Sequence, residues 1–261
     1  MFLLQQSEDS TSIKKLVRFF NINFPQMDLI VYGRGLELPA FTLGRALSSL
    51  KNKMINVLNI YDFLFICNPY IEVSNVVAFT GDENELRDLL DGLESLRVNG
   101  RIYFCGITNI KPRYNFVSIT SFDKSFCEIN LSLSILKILS NDNIKREKMI
   151  LDQLNDISDL DDYVKNYANV FSLDQPILLS PIMLPAKSFL ESLGVNVSSY
   201  FDTKILDSVQ IVYTGVDMHI IKRVIFSLRS KGKKVTDILI DADPLLAPIY
   251  LSMIMFYLKK K

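Results

Sequence analysis

The stretch Val76–Ile107 constrains the fold of this chain more than any other part of it. An apolar run at Val76–Phe79 is broken by Thr80-Gly81, leucines then recur at helical spacing, and Asn99-Gly100 precedes a second apolar run. A strand, a helix and a strand in this order form a right-handed parallel crossover. The stretch therefore predicts an α/β protein with a parallel sheet. It also places the Thr80-Gly81 turn at the carboxyl edge of that sheet, where such folds bind ligands.

The helix of this unit begins with acidic residues. Asp82 is a good N-cap, and Glu85 three positions later completes a capping-box pattern. The same arrangement recurs near the C-terminus, where an apolar run at Gln210–Tyr213 is followed by Thr214-Gly215 and a potential cap, Asp217. Two copies of one unit suggest two related α/β halves, although a chance likeness between two ordinary crossovers would look the same.

A glycine pair follows the first predicted strand, Met27–Tyr32, and precedes a predicted helix at Pro39–Leu50. Gly33 and Gly35 would let backbone amides approach an anion at the start of that helix. A tight structural turn explains the same glycines. Arg34 between them could bind a phosphate or a sugar acid, or pair with an acid such as Glu37. The pattern is not a complete dinucleotide fingerprint, so a generic nucleotide-binding protein is a further alternative.

Composition narrows the class of protein. The chain has 261 residues, of which 49% are hydrophobic, with 29 basic and 29 acidic side chains, so it predicts a folded protein without a preference for nucleic acid. The cysteines, Cys67, Cys105 and Cys127, lack metal-binding spacing, and we expect reduced core thiols and a cytoplasmic location. No signal peptide or membrane-spanning segment is expected. One histidine and no zinc or acyl-transfer motif predict neither a metal nor a cofactor.

The remaining patterns complete the expected organisation. Residues 10–20 have the spacing of an amphipathic opening helix, and Val117–Thr120 that of an edge strand. We expect a first domain at 1–140, a helical connector at 141–172 and a second domain at 173–261. The apolar helix expected at Pro244–Leu258 must be buried, either on its own sheet or on a second subunit.

Taken in order, several of these motifs resemble the sugar isomerase (SIS) domain family, and most closely its archaeal bifunctional phosphoglucose/phosphomannose isomerases. VYGRG stands at the family's glycine-rich first loop, AFTGDENEL at its SYSGNTEET segment, and PILLSPIMLPAKSF at the opening of its second domain. The resemblance spans nearly the whole chain. It implies two flavodoxin-like, doubly wound domains, a homodimer, and isomerisation of a hexose 6-phosphate between aldose and ketose.

The resemblance also assigns a site. It implies that Thr80, Gly81, Thr108 and the Gly33–Gly35 loop bind the phosphate and hydroxyl groups of a sugar phosphate. Two of the family's hydroxyl positions fall instead on Ala78 and Glu83. A carboxylate there repels a phosphate, so we expect Asp82 and Glu83 to cap the helix rather than bind ligand.

The catalytic positions depart from the family as well. The family's glutamate position falls near Asn196, which leaves Glu191 as a nearby carboxylate, and no HNE segment is present. His219 lies in a first helical turn, where it is either an ordinary surface residue or a group that polarises a sugar carbonyl. Two functions follow: a sugar-phosphate isomerase using Glu191 or His219, or an inactive SIS-fold protein that serves as a sugar-phosphate sensor or a structural partner.

Overall fold

The computed structural model describes residues 12–67, 69–70, 72–140, 144–202 and 207–261. Within these ranges the chain divides into two compact units. The N-terminal unit is Phe19–Leu151, and the C-terminal unit consists of Asp152–Lys261 together with residues 12–18. Each unit is built around its own parallel sheet.

The N-terminal unit has a five-stranded parallel sheet in the order β2-β1-β3-β4-β5. Its elements are β1 (Leu29–Tyr32), α1 (Glu37–Lys51), β2 (Asn56–Asn59), α2 (Ile60–Asp62) with a π-helical turn at Phe63–Cys67, β3 (Asn75–Thr80), α3 (Glu83–Ser95), β4 (Asn99–Cys105), β5 (Val117–Phe122), α4 (Cys127–Leu139) and α5 (Lys145–Asn155), which extends past the unit boundary.

The C-terminal unit has a four-stranded parallel sheet in the order β7-β6-β8-β9. Its elements are α6 (Leu160–Ala168), β6 (Ile177–Leu179), a 3₁₀ turn at Leu184–Ala186, α7 (Lys187–Ser192), β7 (Val197–Ser199), β8 (Ser208–Tyr213), α8 (Met218–Ser230), β9 (Lys234–Leu239) and α9 (Ala247–Lys260).

The predicted fold class is confirmed: the protein is an α/β protein with two doubly wound parallel sheets. β3 pairs in parallel with β4: Asn75 lies opposite Asn99 at one end of the pairing, and Thr80 lies opposite Phe104 at the other. α3 is therefore a crossover helix, and Thr80 ends its strand at the carboxyl edge. β8 and β9 pair in the same way around α8. The strand order of the second sheet repeats that of the first four strands of the first sheet. This shared order supports two related halves.

The leucines of α3 explain why this helix covers the first sheet. Leu86, Leu89, Leu90 and Leu93 are buried in one cluster with strand residues such as Ile102. Because burying each leucine side chain contributes about 1.5–3 kcal/mol, this contact fixes α3, and with it the turn that precedes it, against the sheet.

The opening helix predicted at residues 10–20 is wrong over the described residues 12–20, which form a turn followed by chain without regular secondary structure. Its first two residues lie outside the described ranges. A distant residue holds this segment: Asp161 accepts hydrogen bonds from Ser12 Oγ at 2.6 Å and from Lys14 N at 3.0 Å. Ile13 and its apolar neighbours do recur at helical spacing, but tertiary contacts determine the backbone conformation of this segment.

The expectation of reduced thiols is wrong for two of the three cysteines. Cys105 ends β4 and Cys127 begins α4, and the two form a disulfide with a Cα–Cα distance of 5.8 Å. They meet because β5 runs parallel beside β4 and α4 then folds back over the strand end. Cys67 is the free cysteine and is half-buried. The inference of a cytoplasmic location from reduced thiols therefore loses its basis.

The other predicted helices are found with shifted ends. The connector region contains two helices, α5 and α6, and its residues 141–143 lie outside the described ranges. α9 is buried as expected, and it packs against α6 of its own unit, where Tyr250 contacts Tyr163 at a ring-centroid distance of 5.1 Å. None of the helices in the described ranges is long and apolar enough to cross a membrane.

Candidate functional site

The turn between β3 and α3 is capped from within the chain. Asp82 is the N-cap of α3, as predicted, and its Oδ1 accepts hydrogen bonds from Asn84 N at 2.8 Å and from Glu85 N at 3.1 Å. These amides are the donors that would face an anion at a helix N-terminus. Asp82 therefore satisfies two of the groups that a bound phosphate would need.

Glu85 makes contacts that differ from the predicted capping box. Its carboxylate does not turn back to Asp82 N. Instead it accepts from Thr80 Oγ1 at 3.0 Å and from Arg34 N, at 3.1 Å to Oε1 and 3.2 Å to Oε2. Glu85 is 6% exposed and Thr80 is fully buried. The carboxylate thus ties the loop after β1 to the turn after β3, two segments that are far apart in sequence.

This contact explains Gly33. A Cβ atom at position 33 would lie 2.0 Å from Glu85 Oε2 and 2.8 Å from Thr80 Oγ1, so any larger side chain would push the carboxylate out of this position. Gly33 N donates to Phe79 O at 2.8 Å, and Arg34 N is bonded to Glu85. Two amides of the predicted anion loop are therefore already paired inside the protein.

The other predicted binding residues lie around the same edge with different contacts. The Arg34 side chain is exposed, and Gly35 has φ +86, a conformation that favours glycine. Gly81 is half-buried, and a Cβ there would lie 3.3 Å from Cys105 O. Thr108 Oγ1 accepts from Ile110 N at 3.1 Å and closes its own turn after β4.

The negative charge at the turn between β3 and α3 also disfavours the binding of an anion. Glu83 is exposed at the start of α3, with Arg87 one helical turn along at 3.8 Å. Asp82, Glu83 and Glu85 place three carboxylates within one helical turn. Like charges near a phosphate oppose its binding. The arrangement is therefore better suited to holding the loop and the helix in place than to holding a phosphorylated ligand.

The predicted catalytic residues are not brought together. Glu191 is exposed in the last turn of α7, where Lys187 pairs with it at 3.5 Å. His219 is exposed in the first turn of α8, and its Nε2 lies 2.8 Å from Arg223. In a parallel sheet, the end of one crossover helix and the start of another lie towards opposite edges. Both residues thus have ordinary helix-surface partners one turn away.

The C-terminal unit repeats the internal carboxylate contact. Asp217 precedes α8, as predicted, but its carboxylate does not cap the helix. Oδ1 accepts from Thr214 N at 2.8 Å and from Thr214 Oγ1 at 2.9 Å, and Oδ2 accepts from Ile182 N at 3.1 Å. Ile182 follows β6, the first strand of its sheet along the chain, as Arg34 follows β1 in the N-terminal unit. Each unit therefore joins the loop after its first strand to the threonine turn through one buried acid.

One titratable group at the carboxyl edge was missed by the sequence analysis. Glu128 lies in the first turn of α4, and its Oε2 is buried with no hydrogen-bond partner. Burial, and then the charge of Glu37, raise the pKa of Glu128 to about 8. No local signal marks this residue, because its environment comes from α1, about ninety positions earlier. A carboxyl group of this kind can exchange a proton near neutral pH.

Metal coordination has no support in the part of the chain that the structure describes. Within those residues, no three histidine, cysteine or acidic side chains are grouped so that they could hold a metal ion.

Comparison with known proteins gives a likeness in structure but not in sequence. The sequence matches no family profile and no curated protein. Glucosamine-6-phosphate deaminase from Thermotoga maritima superposes with a TM-score of 0.58 at 11% identity, over 89% of this chain and 84% of that one. Tagatose-6-phosphate ketose/aldose isomerase from Escherichia coli gives a TM-score of 0.63 at 10% identity, over 89% and 81%.

A third solved structure is similar to this chain to the same degree. The C-terminal domain of glucosamine-fructose-6-phosphate aminotransferase from Francisella tularensis superposes with a TM-score of 0.60 at 12% identity, over 90% of this chain and 83% of that one. The chain shares the α/β fold of these three structures. At these identities the likeness establishes the fold alone and leaves the chemistry to be argued from the residues.

Proposed function

We propose that this protein is a non-catalytic SIS-fold protein that acts as a structural or interaction partner and does not hold a sugar phosphate at the Thr80 turn. One observation carries the proposal: Thr80 Oγ1 and Arg34 N donate to Glu85, and the first amides of α3 donate to Asp82. A phosphate would have to displace two carboxylates of the protein while being repelled by Glu83.

The surroundings of the two predicted catalytic residues support the same proposal. Proton transfer between C1 and C2 of a sugar needs a base and an acid within hydrogen-bond reach of one substrate. Glu191 and His219 instead contact Lys187 and Arg223 on their own helices.

A second candidate is a hexose 6-phosphate isomerase that uses other residues, and Glu128 favours it. Its carboxyl group lies at the same sheet edge as Thr80, and its pKa of about 8 suits a group that gives and takes a proton. The fold shared with a tagatose-6-phosphate isomerase is consistent with this candidate. In this case the phosphate would have to bind away from the amides that Asp82 and Glu85 occupy.

An isomerase assay separates the two candidates. The purified full chain is incubated with glucose 6-phosphate, mannose 6-phosphate or fructose 6-phosphate, and each is analysed for interconversion. The proposal predicts no turnover by the wild type. Turnover that is retained in Glu191→Gln but lost in Glu128→Gln would overturn it and establish the second candidate.

A gain-of-binding variant tests one part of the physical reason, the charge of Glu83 and the two missing hydroxyl groups. Glu83→Thr combined with Ala78→Ser replaces both departures from the family's hydroxyl pattern and removes one negative charge. If charge and missing hydroxyls prevent phosphate binding, the double variant should bind a sugar phosphate more tightly than the wild type in a calorimetric titration. Glu191→Gln, which removes a charge in the other unit, serves as the control.

A further inference from the structure

The parallel sheet of the C-terminal unit has an open edge at a position that is covered in the N-terminal unit. In the N-terminal unit, β5 lies in parallel beside β4, with Gly100 opposite Val117 at one end and Cys105 opposite Phe122 at the other. β9 holds the position of β4 in the second sheet, and within the described residues its strand neighbour is β8 alone. One side of β9 is therefore open to a further parallel strand.

Alternate residues of β9 direct their backbone groups to this open side. Lys234 N donates to Asp207 O at 2.9 Å and Ile240 N donates to Tyr213 O at 2.9 Å, so the even-numbered positions bond to β8. Successive residues of a parallel strand point their N–H and C=O groups to opposite sides. The groups that face the open side therefore belong to Val235, Asp237 and Leu239.

The end of β9 is also less covered than the end of β4. Phe104 lies opposite Thr80, the last residue of β3, and Leu239 lies opposite Tyr213, the last residue of β8. Phe104 is 2% exposed, whereas Leu239 is 37% exposed. An exposed apolar side chain on an edge strand favours pairing with a further strand.

The charges along this edge change sign from its start to its end. Lys231 and Lys234 are exposed where the chain enters β9, and neither pairs with an acid among the described residues. Asp241 and Asp243 follow the end of β9. A segment that runs parallel to β9 would place its N-terminal end beside the lysines and its C-terminal end beside the aspartates. The charges therefore favour a segment whose acidic residues precede its apolar ones.

Arg229 adds a positive charge to the open edge. Its Nη2 donates to Val235 O, one of the outward carbonyls, at 3.1 Å and to Asp237 Oδ1 at 3.0 Å. Lys222 pairs with the same carboxylate at 2.6 Å, so two cations share one acid. An acidic side chain on an incoming segment would draw Arg229 away and free Val235 O for the ladder. The arginine thus favours an acidic segment over a basic one.

We propose that the open edge of β9 binds an extended segment of a partner protein as a fifth parallel strand. The acidic residues of this segment lie at its N-terminal end, beside Lys231 and Lys234, and its apolar residues lie beside Leu239. Main-chain hydrogen bonds of this kind supply affinity, and the side chains supply specificity. The proposal rests on the proposed function, because it names the surface and the kind of segment by which an interaction partner is bound.

Synthetic peptides test the proposal. One fluorescent peptide has three acidic residues followed by alternating valine and threonine, a second has the same acids at its C-terminal end, and a third has lysines in place of the acids. Fluorescence anisotropy measures the binding of each to the full chain. The first peptide should bind saturably, and the other two should bind about tenfold more weakly or less, because their charges meet like charges.

Two variants connect the binding to β9. Leu239→Pro removes one outward N–H without removing a hydrogen bond to β8, and it should weaken the first peptide about tenfold or more. Lys234→Glu should weaken the first peptide and strengthen the peptide with lysines, since it reverses a charge at the start of the edge. Lys53→Glu is the matched control, because Lys53 is exposed in the N-terminal unit and should leave binding unchanged.

Amide hydrogen exchange tests the geometry of the contact. The first peptide should slow exchange at Val235, Asp237 and Leu239, whose N–H groups face outward. It should change exchange little at Thr236 and Ile238, which already face β8. Slower exchange at other sites without protection of the outward amides would contradict a strand at this edge.

Three binding results would overturn the proposal: no saturable binding of the first peptide, equal binding of the peptides with acids at either end, or binding that Leu239→Pro leaves unchanged. Self-association of the full chain that Leu239→Pro abolishes would also overturn it, because a second copy would then occupy the edge. The isomerase assay measures turnover and not peptide binding. Failure of this proposal is therefore distinguishable from failure of the proposed function.

Discussion

At the residue scale, Glu85 shows how one buried acid can organise a ligand edge without binding a ligand. It accepts hydrogen bonds from the hydroxyl of Thr80 and the amide of Arg34, and its carboxylate fills the space that a Cβ at position 33 would take. The sequence predicted Asp82 as the cap but assigned Glu85 a local capping role. The actual partner is 51 positions away, so spacing along the helix could not reveal it.

Replacing Glu85 tests this structural role. Glu85→Gln keeps the shape but turns one acceptor oxygen into a donor that faces Thr80 Oγ1 and Arg34 N. We expect the free energy of unfolding to fall by about 1–3 kcal/mol, the range for a buried polar group that loses its partner. Urea denaturation measures it. The exposed Glu83→Gln should change it by less than about 0.5 kcal/mol. Equal effects of the two substitutions would contradict the account.

Glu128 makes a prediction about pH. Its pKa in the folded protein is about 8, above the ordinary glutamate pKa of 4.5, so the folded state favours the neutral carboxyl group. Its contribution to stability is therefore complete below about pH 4.5 and is lost as the pH rises towards 8. Glu128→Gln should raise the free energy of unfolding at pH 8 by about 2–4 kcal/mol relative to the wild type. Unfolding curves at pH 5 and pH 8 measure the difference, which should be much smaller at pH 5.

At the element scale, the predictions that succeeded rest on local periodicity. α3, β4, α8 and β9 follow from apolar spacing and turn residues, and their parallel pairing follows from the length of the crossover. The predictions that failed depend on contacts between distant segments. Asp161 holds the opening segment as a turn, and the Cys105–Cys127 disulfide forms only once β5 and α4 are in place.

The disulfide should stabilise the junction of β4 and α4. It links residues 22 positions apart, and closing a loop of that size stabilises the folded state by about 3 kcal/mol in the chain-entropy view. Cys127→Ser should lower the free energy of unfolding by an amount of this order, and a reducing agent should lower the melting temperature of the wild type. Cys67→Ser is the control, because Cys67 is free. A melting temperature insensitive to both reduction and Cys127→Ser would contradict the prediction.

At the scale of the whole molecule, both units contain the same contact between a buried carboxylate and a threonine turn. In each, the loop after the first strand and the threonine turn are joined by a buried carboxylate, Glu85 in the first and Asp217 in the second. The fold and the position of the turn could be predicted from the sequence, as could the excess of negative charge at Glu83. The capping of the α3 amides by Asp82 could be predicted as well. The contacts of Glu85 with Thr80 and Arg34 could not, because they depend on side-chain directions that only the folded chain fixes.

The central claim is that the Thr80 turn does not hold a sugar phosphate. The most direct measurement is the melting temperature of the full chain with glucose 6-phosphate, mannose 6-phosphate, fructose 6-phosphate or inorganic phosphate at millimolar concentration. A ligand present at about 100 times its dissociation constant adds about 2.7 kcal/mol of stability, which would raise the melting temperature by several degrees. The account predicts no shift with any of them. A shift with one sugar phosphate that exceeds the shift with inorganic phosphate, and that Thr80→Val abolishes, would contradict it.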